Sequence, residues 1–229
     1  MYVFGKNVAN EVINDVKKIK KAYISKNFDE KNIMSVLNRN NIYIKWMEKR
    51  DLDKFVDGNH QGIVLEIDDY EYSDVDELIE DNGIIVMLDH LEDPHNLGAI
   101  IRTCEAAKVS GIIIPKDRSV SVNSTVMKVS AGALEQVKIS QVTNLSQTLS
   151  YLKKQGYWIV GTDMQGTNYT DIDYSGKIVI VIGNEGKGMS DIIKKNCDFI
   201  AKIPMRGSIN SLNASVAAGI IIFEAIKKQ

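Results

Sequence analysis

Short apolar runs recur along the second half of the chain, and this pattern constrains the fold more than any other feature. Most runs have the length and aliphatic composition of parallel strands that are buried on both faces. The predicted strands of this half are 84–88, 111–115, 137–142, 157–162, 177–183 and 199–204. Helical patterns separate them at 96–108, 124–134, 145–155, 188–195 and 213–228. This alternation predicts an α/β fold with a mostly parallel sheet and helices on both faces.

The first part of the chain has a different pattern and predicts a small, separate α/β unit. Its predicted elements are a helix at 7–18, a strand at 21–25, a helix at 29–39 and strands at 42–46 and 62–67. A stretch rich in acidic residues follows. We therefore predict a first domain at 1–67, an acidic linker at 68–82 and a second domain at 83–229.

The charge distribution is uneven, although the formal net charge is only −2. Residues 1–67 carry 12 Lys/Arg against 9 Asp/Glu, residues 68–82 carry 8 acids and no base, and residues 83–229 carry 16 bases against 13 acids. Two mildly basic domains joined by an acidic linker are compatible with a polyanionic partner. An ordinary solvated linker without electrostatic meaning explains the same pattern equally well.

Composition excludes several classes of protein. No apolar run approaches the roughly 18 residues of a membrane-spanning helix, and the N-terminus lacks a signal-peptide pattern, so we expect a soluble cytoplasmic protein. Cys104 and Cys197 are too few for a disulfide framework. With only His60, His90 and His95 beside them, no metal-ligand spacing appears, and we expect no metal.

A glycine-rich turn, "GNEGKG" at 183–188, lies between an apolar strand and a predicted helix. Such turns often bind phosphate through backbone N–H groups. The dinucleotide fingerprint G-x-G-x-x-G does not fit, because the order here is G-x-x-G-x-G and only 46 residues follow Gly183. The phosphate loop G-x-x-x-x-G-K-[ST] does not fit either, because Gly188 follows Lys187. The sequence supports neither an NAD enzyme nor an NTPase.

Polar residues follow three of the predicted strands, at the sheet edge where open α/β folds bind ligands. They are Asn96, Arg102, Glu185, Ser211 and Asn213. Each also has a purely structural interpretation. Asn96 could cap a helix, Arg102 could lie on a solvated or salt-bridged helix face, Glu185 could complement a helix N-terminus, and Ser211 with Asn213 could form a cap pair.

Three longer segments extend this pattern into a family resemblance. "DPHNLGAIIRTCEAA", "VIGNEGKGMS" and "IPMRGSINSLNASVAAGIIIFEA" resemble the three motifs of the SpoU (SPOUT-superfamily) RNA 2'-O-ribose methyltransferases, in the family's order and at its separations. The N-terminal "YVFGKNVANEVI" and "HQGIVLEI" resemble the RNA-binding domain of the branch that methylates a guanosine ribose in 23S ribosomal RNA. The resemblance covers nearly the whole chain.

The resemblance implies a trefoil-knotted catalytic domain preceded by a small ribosomal-protein-like RNA-binding domain. It also implies an obligate homodimer that binds S-adenosylmethionine in loops near the C-terminus. Glycines would allow the backbone to approach this cofactor where a Cβ would block it. The implied cofactor-binding residues are Thr162, Gly183, Gly186, Ile203, Met205 and Leu212.

The same resemblance assigns catalysis to Asn96, Arg102, Glu185, Ser211 and Asn213. Some family accounts make the arginine the base that removes the hydroxyl proton. A guanidinium is essentially always charged, so we instead expect Arg102 to grip a phosphate or to stabilise developing alkoxide charge. In this hypothesis Asn96 and Glu185 orient Arg102 and the ribose, while Ser211 and Asn213 order the cofactor loop and the substrate.

Two alternative functions remain open at this stage. One is a 2'-O-methyltransferase that acts on transfer RNA, although such enzymes tend to lack the N-terminal domain. The other is a non-catalytic RNA-binding module that kept the fold. The retained polar residues of the three motifs favour an active enzyme over the second alternative.

Overall fold

The structure is a computed structural model that describes residues 1–56, 58–208 and 210–229. The chain forms two compact units. The first consists of Met1–Glu71 together with Val122–Lys128, and the second consists of Tyr72–Ser121 together with Val129–Gln229. This division does not test the functions predicted for the two parts of the chain, which are RNA binding and catalysis.

A four-stranded sheet with the order β1-β4-β2-β3 organises the first unit. Strand β4 pairs antiparallel with both neighbours, whereas β2 and β3 pair in parallel. The elements in chain order are β1 (Tyr2–Phe4), α1 (Lys6–Val12), β2 (Ile19–Ser25), α2 (Lys31–Arg39), β3 (Ile44–Met47), α3 (Lys49–Phe55) and β4 (Ile63–Ile67).

The two faces of this sheet differ in what covers them. One face forms the core with α1 and α2, in which Ile24, Leu37 and Leu65 are fully buried. On the other face, Leu52 of α3 packs against Tyr23 and Val64. This second contact is small because α3 has only seven residues and a single buried side chain.

The second unit contains a six-stranded sheet with the order β10-β8-β9-β5-β6-β7, in which every strand pair is parallel. The elements of the second half of the chain are β5 (Ile84–Asp89), α4 (Pro94–Ala106), β6 (Gly111–Pro115), α5 (Ser124–Ser130), β7 (Ile139–Val142), α6 (Leu145–Lys154), β8 (Trp158–Asn168), β9 (Ile178–Gly183), α7 (Asp191–Asn196), β10 (Phe199–Lys202) and α8 (Ala214–Lys227). The predicted α/β fold with a mostly parallel sheet is confirmed.

Alternating residues of the central strands bury both faces of this sheet. Met87 and Val181 belong to one core cluster with side chains of α6 and α7. Their neighbours Val86 and Ile180 are fully buried although they point to the opposite face. On that side α8 packs against β9 and α4. Two-sided burial explains why the strands appear in the sequence as continuous apolar runs.

The acidic stretch 68–82 is largely anchored to the second unit. The backbone N–H of Ser73 donates to the carbonyl of Ile139 at 2.9 Å, and Nζ of Lys138 donates to the carbonyl of Glu77 at 2.8 Å. Leu78 is fully buried in the second core. The stretch from Tyr72 onward is therefore part of a folded unit and not a free tether.

Several element boundaries differ from the sequence prediction. The predicted helix 7–18 ends as an α-helix at Val12 and continues as a 3-10 segment that is interrupted at Asp15, where the backbone leaves helical geometry. The predicted strand 157–162 continues to Asn168. Strand β1 and helix α3 were not predicted, since a three-residue strand and a two-turn helix are too short to display a clear period.

The described residues were searched for membrane-spanning helices and for groups of metal-binding side chains. Within 1–56, 58–208 and 210–229, no helix has the length and apolar character needed to cross a membrane. The same part of the chain contains no cluster of three side chains suited to hold a metal ion. His60 is buried by local structure, because its Nδ1 accepts from the N–H of Gly62 and its Nε2 lies 2.9 Å from Asp53.

Candidate active site

The glycine-rich turn after β9 closes on itself. The N–H of Asn184 donates to the carbonyl of Gly188 at 3.1 Å, and the N–H of Gly188 donates back to the carbonyl of Asn184 at 2.9 Å. The side-chain oxygen of Asn184 accepts from the N–H groups of Gly186 and Lys187. A Cβ at Gly183 would overlap the backbone of Gly188. Gly183 therefore permits the turn itself to close, which is a different reason from the predicted approach to a cofactor.

The end of β5 and the residue after it hold this turn in place. The buried carboxylate of Asp89 accepts from the N–H of Ser190 at 2.7 Å and from its hydroxyl at 2.9 Å. The side-chain amide of Asn184 donates to the carbonyl of His90 at 2.7 Å. Asp89 also lies directly opposite Gly183 in the parallel register. The turn is thus fixed to the end of the neighbouring strand.

Helix α4 begins two residues earlier than predicted, and this changes the role of Asn96. The N-cap is Asp93, whose side chain accepts from the N–H of His95 at 2.8 Å, with Pro94 at the first helical position. The prediction that Asn96 could cap this helix is wrong. Asn96 lies inside the first turn, and its side chain is almost completely buried.

Asn96 connects the three polar segments. Its Nδ2 donates to Oε1 of Glu185 at 2.9 Å, and its Oδ1 accepts from Nδ2 of Asn213 at 2.9 Å. Glu185 also accepts from the N–H of Asp93 at 3.4 Å. Because a carboxylate can only accept, Asn96 must turn its NH2 group toward Glu185 and its oxygen toward Asn213. The network therefore defines the orientation of the buried amide.

Asn213 is the N-cap of α8. Its Oδ1 accepts from the N–H of Ser215 at 2.9 Å, from the hydroxyl of Ser215 at 2.6 Å and from the N–H of Val216 at 3.4 Å. One side chain thus caps the last helix with its oxygen and reaches Asn96 with its nitrogen. Of the predicted cap pair, Asn213 is confirmed as a cap, whereas Ser211 makes no hydrogen bond to α8 in the part of the chain that the structure describes. The interpretation of Glu185 as an acceptor at a helix N-terminus is confirmed.

A cavity of about 480 Å³ opens beside this network, between the glycine-rich turn, the middle of β8 and the segment before α8. Its volume is within the range of small-molecule sites. Seven of the predicted site residues line it: Thr162, Glu185, Gly186, Ile203, Met205, Ser211 and Leu212. The described residues of its wall do not include the other four predicted site residues, which are Asn96, Arg102, Gly183 and Asn213.

The cavity also has polar wall residues that the sequence analysis did not select. The segment after Thr162 contributes Asp163 and Gln165, and Lys194 of α7 pairs with Asp163 at 2.6 Å. Burial opposes ionisation of Asp163, but hydrogen bonds from Lys194 and from the N–H of Gln165 outweigh it and hold the pKa of this carboxyl below its usual range. Because the predicted strand ended at 162, the rule that ligands bind beyond the carboxyl ends of strands could have identified Asp163, although β8 itself continues past this residue.

Arg102 lies apart from the network. It is exposed on α4, six residues after the buried Asn96 and about 120° around the helix. Among the described residues, Arg102 has neither an ion pair nor a hydrogen bond, and Glu185 bonds to Asn96 instead. The predicted orientation of Arg102 by these two residues is therefore not made by a direct hydrogen bond within one chain.

The sequence pattern of the SpoU rRNA methylase family matches residues 83–223, and the pattern of RNA 2'-O ribose methyltransferase substrate binding matches residues 2–73. The chain therefore belongs to the SpoU rRNA methylase family, a class of RNA methyltransferases. Over its full length it is 39% identical to YacO of Bacillus subtilis (strain 168), which is assigned to the TrmH family of tRNA/rRNA methyltransferases, and it covers 96% of that protein. A TrmH family relative from Staphylococcus saprophyticus is 42% identical over 99% of the chain and 91% of its own length.

Solved structures share this fold. The SpoU methyltransferase AviRb from Streptomyces viridochromogenes, crystallised with the cofactor AdoMet, superposes with a TM-score of 0.85 at 22% identity, covering 100% of this chain and 89% of its own. The AdoMet-bound rRNA methyltransferase from Sinorhizobium meliloti gives a TM-score of 0.76 at 25% identity, covering 99% and 86%. The TrmH/SpoU tRNA modifying enzyme of A. aeolicus gives 0.59 at 34% identity, covering 64% and 75%.

Proposed function

We propose that this protein transfers a methyl group from S-adenosylmethionine to a ribose 2'-hydroxyl of RNA, and that the substrate is a guanosine in 23S ribosomal RNA. The observation that carries the proposal is the hydrogen-bonded chain Glu185–Asn96–Asn213 beside the cavity. It ties together three segments that are far apart in sequence and that together resemble the three family motifs. The predicted trefoil knot and cytoplasmic location belong to the same proposal.

The walls of the cavity have the chemistry that this cofactor requires. When bound, S-adenosylmethionine supplies a methyl group activated by a sulfonium sulfur. Ile203, Met205 and Leu212 offer apolar surface, and Gly186 leaves open space where a side chain would project. We assign the cofactor contacts to these residues and to Thr162, whose hydroxyl donates to the carbonyl of Val181 at 3.0 Å and so fixes the cavity wall. AviRb, which shares the fold, was crystallised with AdoMet.

The polar residues would then act on the RNA mainly by positioning it. In-line transfer requires the ribose oxygen to be aligned, and positioning can contribute about 7 kcal/mol or more to catalysis. A guanidinium group is essentially always charged, so we assign Arg102 to a substrate phosphate or to the developing alkoxide. Asn96 and Glu185 order the turn, Asn213 orders the start of α8, and the exposed Ser211 faces the cavity where the ribose would bind.

A homodimer is part of the proposal. On the outer side of α8, Val216 is 50% exposed and Phe223 is 52% exposed, about two helical turns apart. An apolar stripe of this kind on a helix that packs against α4 suits burial against a second copy of the chain. Sedimentation should give a dimer, and Phe223→Lys should give a monomer with reduced methyl transfer. An active wild-type monomer would contradict this part of the proposal.

Ribosomal RNA is preferred to transfer RNA because of the N-terminal region. The rRNA methyltransferase from Sinorhizobium meliloti covers 99% of this chain, whereas the A. aeolicus tRNA modifying enzyme covers 64% of it. The substrate-binding pattern at 2–73 also favours an enzyme with a dedicated RNA-binding unit. Methylation of transfer RNA is the alternative.

One experiment distinguishes these functions. The purified full-length protein is incubated with labelled S-adenosylmethionine and either protein-free 23S ribosomal RNA or bulk transfer RNA, and the modified nucleotide is mapped by mass spectrometry. We expect one 2'-O-methylguanosine in 23S ribosomal RNA. Label in transfer RNA would support the alternative. Cofactor binding without transfer to either RNA would favour a non-catalytic module, and absence of cofactor binding would reject the enzyme proposal.

A further inference from the structure

The first unit carries a cluster of aromatic and basic side chains on the sheet face that α3 covers only in part. We call it the aromatic–basic face and define it as Tyr2, Lys21, Tyr23, Tyr43, Lys45 and Phe55. The strand register places Tyr2, Lys21, Tyr23 and Lys45 on one side, because Lys21 and Tyr2 both lie opposite Glu66, and Tyr23 lies opposite Lys45. Phe55 lies on α3, against the rings of Tyr2 and Tyr23. Tyr43 directly precedes β3 in the same alternation.

The rings of this face are in direct contact with one another and with a cation. Phe55 lies 5.0 Å from Tyr2 and 4.7 Å from Tyr23, measured between ring centroids. Nζ of Lys21 lies 5.0 Å from the ring of Tyr23 and 4.9 Å from that of Tyr43. The result is a continuous strip of ring surface with one ammonium group between two tyrosines.

Much of this strip is open to solvent. Tyr43 is 63% exposed, more than any other large apolar or aromatic side chain of the described residues, and Tyr2 is 42% exposed. Exposed rings in a monomer often mark an interaction surface. By contrast, the hydroxyl of Tyr23 donates to Glu66 at 2.9 Å, and burial together with this bond raises its pKa. Tyr23 is therefore the buried, uncharged ring of the strip.

The charges favour a nucleic acid as the occupant. Lys21 and Lys45 have no carboxylate partner within ion-pair distance among the described residues, although the register places Glu66 opposite Lys21. Unpaired ammonium groups beside open rings match unpaired RNA, since bases stack on aromatic faces and phosphates attract cations. Duplex RNA does not fit, because its bases are already stacked.

We propose that the aromatic–basic face binds single-stranded RNA, with Tyr43 stacking on an unpaired base and Lys45 contacting a phosphate. The inference rests on the proposed function insofar as RNA is taken as the substrate. It adds which surface of the first unit contacts the RNA, and it adds that the substrate must present an unpaired segment there in addition to the ribose at the active site.

The test is a fluorescence anisotropy titration of the full-length protein with a labelled single-stranded oligoadenylate. Tyr43→Ala should weaken binding by about 5- to 100-fold, since stacking of one base accounts for a factor of this size, and Tyr43→Phe should retain it. The slope of log affinity against log salt concentration is negative, and Lys45→Ala should make it shallower by about 0.7. Tyr43→Ala should leave this slope unchanged.

Trp46 provides a matched control. It is 50% exposed on the same strand but lies opposite Ile24, so it points to the other face of the sheet. Trp46→Ala should change the affinity by less than about twofold, as expected for a surface substitution outside the site. Equal losses for Trp46→Ala and Tyr43→Ala would overturn the assignment of the face, and so would absence of oligoadenylate binding by the wild type.

Further outcomes separate this inference from its alternatives. If a duplex of the same length binds as tightly, or if polyaspartate competes as well as RNA, the face is a general cation surface or a site for an acidic protein, and the proposal fails. If RNA is methylated normally and Tyr43→Ala binds like the wild type, this inference fails alone. If Tyr43 matters for RNA binding but no methyl group is transferred, the proposed function fails and this inference stands.

Discussion

The side-chain amide of Asn96 donates a 2.9 Å hydrogen bond to the carboxylate of Glu185, a residue 89 positions later in the chain. The same buried amide accepts from Asn213, which is a further 28 positions along. Three loops that follow different strands are therefore held by one side chain. This chain of bonds fixes Glu185 in the wall of the cavity.

Replacing Asn96 should destabilise the protein and weaken cofactor binding together. Asn96→Ala removes both hydrogen bonds of this nearly buried side chain and leaves Glu185 and Asn213 without them, and we expect a loss of about 1 to 3 kcal/mol in the free energy of unfolding. Asn96→Asp should cost at least as much, because it brings a second carboxylate beside Glu185. Urea denaturation and calorimetry with S-adenosylmethionine measure the two effects. Asn10→Asp, at an exposed position of α1, is the control and should change neither quantity appreciably.

Gly183→Ala and Gly186→Ala should behave differently although both lie in one turn. A Cβ at Gly183 overlaps the backbone of Gly188, so the turn must shift and stability should fall by about 1 to 3 kcal/mol. A Cβ at Gly186 meets only the side-chain oxygen of Asn184 at 3.7 Å, so the fold should tolerate it. Thermal unfolding of the two variants provides the comparison. If Gly186→Ala is stable but loses cofactor affinity, that glycine is needed for backbone approach to the ligand.

The two functions of Asn213 can be separated by substitution. Asn213→Asp keeps the oxygen that caps α8 but loses the NH2 group that reaches Asn96. Asn213→Ala loses both, and loss of the cap alone should cost about 1 kcal/mol. We expect Asn213→Ala to be the less stable variant and both variants to lose cofactor affinity. Normal cofactor binding by Asn213→Asp would mean that its bond to Asn96 has no role in the site.

Arg102 should matter for activity and not for stability. Because it is exposed and has no partner within the described chain, Arg102→Ala should change the free energy of unfolding by less than about 0.5 kcal/mol. Methyl transfer should fall sharply while the affinity for S-adenosylmethionine stays the same. Arg102→Lys tests whether a bidentate grip is required, and near-normal turnover of this variant would exclude it.

The ion pair between Asp163 and Lys194 predicts a pH dependence of stability. The pKa of Asp163 is lowered in the folded protein, so its contribution to stability is present above the unfolded value of about 3.8 and is lost as the pH falls through the folded value. Between neutral pH and pH 3 the free energy of unfolding of the wild type should fall, and that of Asp163→Asn should fall by less. Denaturation at each pH measures both. Asp117→Asn, at an exposed loop position away from this pair, should retain the wild-type profile. Identical profiles for Asp163→Asn and the wild type would exclude this contribution.

The strands and helices of the second half were predictable because burial on both faces leaves a strong local pattern. Each of the six predicted strands overlaps an observed one, and only their ends differ. The first unit was harder to predict. Its β1 has three residues, and α3 buries only Leu52, so neither carries enough periodic signal to be recognised. The sequence also did not indicate that Leu78, within the acidic stretch, would enter the second core.

The sequence alone determined the alternation of strands and helices, the α/β class, and which polar residues stand at the ends of strands, because each depends on a few neighbouring positions. The pairing of those residues was decided only by the tertiary structure. That Asn96 bonds to Glu185 and Asn213 while Arg102 points away depends on strand order and helix rotation. The exposure of Tyr43 beside Lys21 depends on the register of β2 and β3 in the same way. Contacts between distant segments follow from packing of the whole chain, and no local pattern encodes them.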